Sequence, residues 1–164
     1  MPGLPKFWVG YVFSAVFFIV ALSAHTVTLS PNEISAANQG IGLLCLGYWL
    51  GGVVRLHEIC LRLDAKYPIR PSRAFWFHLI PFFMFYWFFK WPITMVQFIK
   101  GRNPKCKLSG WVPGSLITLG FIIAWRVDGA IGYMMLVFAG QLLTKELRTL
   151  LATPPASSVH LKVG

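Results

Sequence analysis

Long apolar runs alternate with short basic segments along this 164-residue chain, and the two kinds of residue scarcely mix. Hydrophobic residues make up 56% and charged residues 12%, about half the ~25% charged fraction of a water-soluble domain. An ordinary soluble domain is excluded, and so is a disordered chain, which would lack apolar content. A bilayer core about 30 Å thick needs about 20 apolar residues per helix. The sequence offers such spans over about 7–24, 36–54, 108–125 and 129–147. The expectation is one integral membrane domain over residues 1–152, all-α and polytopic, with a flexible tail over 153–164.

The first run, Phe7 to Leu22, follows Lys6 and resembles a secretory leader. It is long for one, and Leu22 suits a peptidase poorly, so an uncleaved first span is expected. Ser30, Pro31 and Glu33 stand at the N-cap, N1 and N3 positions of a second helix. Within it, Gly47-x-x-x-Gly51 is a small-residue face that admits another helix. Leu56, Ile59, Cys60 and Leu63 recur at helical spacing, so the second span is expected to continue as an amphipathic helix on the membrane surface. Arg126-Val127-Asp128-Gly129 reads as a tight turn between the last two spans, with Arg126 and Asp128 paired. Cys45, Cys60 and Cys106 are odd in number and contain no C-x-x-C, so no disulfide framework is expected.

Residues 74–99 are the hardest to place. They are crowded with Phe and Trp, broken by Pro81 and Pro92, and interrupted by Lys90. If they cross the bilayer, five spans result. Lys6, Arg55, Arg62, Lys66, Arg70, Arg73 and Arg126 then share one face, and Lys100, Arg102, Lys105, Lys107, Lys145, Arg148 and Lys162 the other. That even split defies the positive-inside rule. If the segment dips in and returns, every one of these cations except Arg126 shares a face. The expectation is four transmembrane helices plus an aromatic re-entrant or interfacial hairpin bent near Lys90-Trp91-Pro92, with both termini cytoplasmic. Five crossing helices are the alternative.

An excess of 15 Lys and Arg over 5 Asp and Glu would suggest nucleic acid in a soluble chain. Here the cations flank apolar runs, so they read as topology signals and contacts for anionic lipids, and no nucleic-acid partner is expected. Trp87, Lys90 and Trp91 read as an interfacial anchor. Arg70, Arg73, Lys100 and Arg102 read as headgroup contacts. Lys90 and Asp128 are the residues a small transporter or channel would use. His25, His57 and His78 are the ligands a haem- or chlorophyll-carrying subunit would use, although His57 and His78 look superficial. No catalytic set and no metal set with zinc spacing appears, and no cofactor is predicted.

Tyr67 to Ala74, Phe77 to Phe82 and Tyr86 to Pro92 spell Y-P-I-x-P-x-x-A, F-H-x-I-P-F and Y-W-x-F-K-W-P. Over residues 56–99 this resembles a family of uncharacterised bacterial membrane proteins, with Met84 where that family carries Asn. The resemblance implies a bacterial membrane location and brings no assigned activity with it; the inner membrane is the one expected. The expected role is a non-enzymatic accessory or scaffolding subunit. Its partners would be transmembrane helices of a larger complex, or a second copy, and anionic lipids.

Overall fold

The computed structural model describes residues 3–23, 31–126 and 128–152. Within them the chain is all-helical: α1 Trp8–Ser23, α2 Pro31–Leu63, α3 Pro71–Trp76, α4 Phe83–Lys100, α5 Trp111–Arg126 and α6 Gly129–Ala152. One segment, Gln39–Leu63 within α2, is long and apolar enough to cross a membrane; Trp8–Val20 and Trp111–Arg126 are shorter apolar helices. His25, Ser30, Val127 and the tail over 153–164 lie outside the described residues. Pro31 opens α2, as its fixed φ suits a first helical position.

Helices α5 and α6 form a close antiparallel hairpin. A Cβ on Gly120 would come within 2.8 Å of the Gly132 carbonyl, so two bare backbones set the approach. Asp128 caps α6 by accepting from the Ile131 N–H at 2.8 Å. The Arg126–Asp128 ion pair expected at this turn does not form: the carboxylate serves the helix terminus, whose free N–H groups it satisfies. Helix α1 lies along α6. The Phe7 ring fits where Gly52 of α2 and Gly140 of α6 leave room, and Phe17 covers Gly129 at the other end. Trp49 of α2 donates from Nε1 to the Leu136 carbonyl of α6 at 3.0 Å.

Helix α2 runs unbroken from Pro31 to Leu63, but its second half is used differently from the expectation. Its continuation does not lie on a surface: Leu56, Ile59 and Cys60 are buried in the core, covered by the 64–70 loop and α4. Beyond Leu63 the chain leaves this end through α3, turns at residues 77–82, and comes back along α4. Arg102, just past α4, bonds Asp64, just past α2. Tyr67 and Phe98 meet ring to ring at 4.8 Å. Residues 64 and 102 therefore share one end of the bundle, and the aromatic segment returns to the end it left.

The bend does not fall at Lys90-Trp91-Pro92. Helix α4 runs unbroken through Pro92. The carbonyl that Pro92 cannot bond, that of Phe88, faces Gly114 of α5, where a Cβ would stand 3.2 Å away. Close backbone approach from α5 covers the gap. The turn is made instead around Phe82, the one described non-glycine residue at positive φ (61°). The Phe83 N–H donates to the Pro81 carbonyl at 2.7 Å across it. This is a γ-turn of the rare positive-φ kind, which is strained. Pro81 removes a donor and ends the preceding turn.

Candidate functional site

The return of the hairpin builds an aromatic box on the inner face of α2. Trp49 and His57 come from α2, Tyr67 from the 64–70 loop, His78 from the turn after α3, and Trp87, Phe88 and Trp91 from α4. His57 and Trp91 are fully buried and His78 is 5% exposed. The Trp91 indole packs edge-on against both imidazoles, with ring centroids at 5.4 Å from His57 and 6.0 Å from His78. Trp49 meets His78 at 5.2 Å. The imidazoles are thus interior groups and not superficial ones, because α3 and α4 close over the α2 face that carries them.

Each imidazole is oriented through Nδ1. His78 Nδ1–H donates to the Ala74 carbonyl, one turn back. His57 Nδ1 is hydrogen-bonded to the Tyr67 hydroxyl at 2.8 Å. Burial pushes the Tyr67 phenol above its ordinary range. Both Nε2 atoms are left inside the protein without a partner, as are the Nε1–H groups of Trp87 and Trp91. Among the described residues no group of three or more His, Cys, Asp or Glu is placed to hold a metal ion.

The other sequence-singled residues scatter. Trp87 and Trp91 are not surface anchors: they are 5% and 0% exposed, turned inward because α4 uses that face to cover α2. Lys90 is exposed on α4, beside the turn where Gly110 abuts Ile93 and Trp111 packs on Phe89 at 5.5 Å. Asp128 lies at the opposite end of α5, a helix about 24 Å long at ~1.5 Å per residue. The two charges thus do not converge. Arg70, Arg73, Lys100 and Arg102 are exposed at one end. There Arg102 also covers the Phe98 ring at 3.9 Å. Gly47 and Gly51 touch nothing: a Cβ on either would meet no atom within 4 Å. Among the glycines that do pack, Gly10, Gly120 and Gly140 are each followed four residues on by a small residue, Ser14, Ala124 and Thr144, whereas Gly52 and Gly132 are not.

Comparison with known proteins finds no matching family model, no matching curated protein and no matching solved structure.

Proposed function

We propose that this chain is a polytopic membrane protein in which α1, α2, α5 and α6 cross the bilayer and α3–α4 re-enters. Its role is that of a non-enzymatic accessory or scaffolding subunit, seated in a bacterial inner membrane with both termini cytoplasmic. The distribution of charge supports the membrane reading. Every described Lys and Arg other than Lys90 and Arg126 belongs to the end where α2 and α4 finish and α1 starts. Exposed Trp8 and Trp111 begin α1 and α5, and exposed Trp125 ends α5. Indoles at both limits of an apolar helix suit two headgroup levels. Helices α1 and α5, 16 residues each, span about 24 Å. That is shorter than an average hydrocarbon core, and local bilayer thinning accommodates the difference.

The observation that carries the scaffold reading is the outer face of α2. Gly40, Leu44, Gly47 and Gly51 follow one another at spacings of four, three and four, all exposed. None of the three glycines has a neighbour within 4 Å of a Cβ position. In lipid, small residues let a second helix come close enough for backbone contact, and this face has no such helix from its own chain. The occupant is a helix of a partner protein or of a second copy.

The test is the double substitution Gly47→Ile with Gly51→Ile, which meets open space within the chain. Expected is an unchanged helical spectrum and a monodisperse monomer. Energy transfer between labelled copies in vesicles should disappear, or a complex seen on native gels of extracted membranes should shift to lower mass. Association that persists undiminished in both assays would sink the reading.

A further inference from the structure

We propose that the tip of the aromatic hairpin and the far end of α5 form a seat for one anionic phospholipid, with an acyl chain in the groove between them and its phosphate on Arg126. This rests on the membrane reading above and concerns the leaflet opposite the basic end. Between the tip and α5 lies a groove of about 520 Å³, walled by Pro81, Phe82 and Phe85 on one side and Phe121, Ile122 and Trp125 on the other. That volume lies within the range of built ligand sites. Arg126 is the sole charged side chain on its lining.

Charge complementarity selects the occupant. Arg126 is the only described cation at its end, and no described carboxylate pairs with it; Asp128, the nearest in sequence, is engaged in capping α6. The guanidinium therefore stands unneutralised at the rim of an apolar cleft, beside an exposed tryptophan at headgroup level. An anion attached to a hydrocarbon chain satisfies both features together. A protein helix does not fit, because the lining covers only residues 81–85 and 121–126. That is about 8 Å of helix axis, shorter than the ~10 Å width of a helix with its side chains. The strained turn at Phe82 has a use in this setting. It projects the Phe82 ring, 88% exposed, along the groove wall instead of into the core.

The test is native mass spectrometry of the detergent-purified full chain, titrated with phosphatidylglycerol, phosphatidylcholine or inorganic phosphate. Lipids at the basic end persist in all variants, so the readout is the single equivalent that depends on Arg126. Arg126→Gln is expected to weaken one phosphatidylglycerol equivalent about fivefold, the worth of one interfacial cation. Arg126→Lys restores it. Ile122→Trp, which fills the groove and keeps the charge, removes the same equivalent; if that variant does not fold, the Gln and Lys pair decides. Phosphatidylcholine shows no dependence on residue 126, and inorganic phosphate does not bind. Equal phosphatidylglycerol retention by the wild type and Arg126→Gln overturns the seat and leaves the membrane reading intact, and so does retention unchanged in folded Ile122→Trp. Failure of every form to hold either lipid overturns both.

Discussion

Gly51 and Gly52 are neighbours in one helix and serve opposite purposes. A Cβ on Gly52 would stand 2.5 Å from the Phe7 ring, while a Cβ on Gly51 would meet nothing. The same contrast separates whole regions. Between α5 and α6, Gly120 and Gly132 bring two backbones together, and on the outer face of α2, Gly40, Gly47 and Gly51 are bare. Glycine in an apolar helix thus marks either a joint already closed or one left open, and only the surroundings say which.

The contrast breaks most visibly at Gly132. Valine there drives its side chain into the backbone of Gly120 and Ala124, which cannot move without separating the hairpin. Expected is a loss of more than about 3 kcal/mol, beyond ordinary overpacking, read as loss of monodisperse protein or a large fall in the melting temperature by circular dichroism. Gly52→Ala follows. Phe7 is buried and already wedged against Gly140, with ring atoms 2.6 Å from a Cβ there, so it has little room to yield. A cost of about 1–3 kcal/mol is expected. Gly51→Ala sharpens the comparison by reversing the sign, since helix propensity gains up to about 1 kcal/mol and no contact is lost. If these two neighbouring substitutions shift the melting temperature in the same direction, the assignment of the two faces is wrong. The smallest effect belongs to the exposed clamp at the hairpin base. The Lys66 backbone N–H, followed by Arg102, holds the Asp64 carboxyl below its ordinary range. A lowered folded value means that its contribution is present above about pH 4 and is lost as pH falls through that value. Arg102→Gln should therefore narrow the small difference in melting temperature between pH 6 and pH 3, and added salt should do the same.

Much of the architecture is legible without coordinates. Charge-free runs mark α1, α5 and the first two thirds of α6, and Gly129 marks the joint between the last two. The return of the aromatic segment is visible in the charges on either side of it, which the Asp64–Arg102 pair brings together. The place of the bend is hidden, because Pro92 looks like a breaker. Whether a proline breaks a helix depends on what covers the freed carbonyl, and here a glycine twenty-two residues later does so. The aromatic box is hidden for a related reason. Arg55, Glu58 and Arg62 surround His57 in sequence and suggest a wet helix. Yet Arg55 and Glu58 pair with each other at 3.0 Å on the solvent side, and the opposite face of the same turns is dry. Periodicity finds the apolar stripe of such a helix but not the element that covers it, which is separated from it by a loop and a short helix.

Phe7 has a further consequence. Its socket is made partly by Gly140, so residues at the start of the described chain are locked by residues near its end. During synthesis α1 leaves the ribosome long before α6 exists, and until then half of that socket is missing. The socket around Phe7 closes only once α6 is in place. A chain cut short before residue 140 would leave the Phe7 ring without the α6 side of its socket.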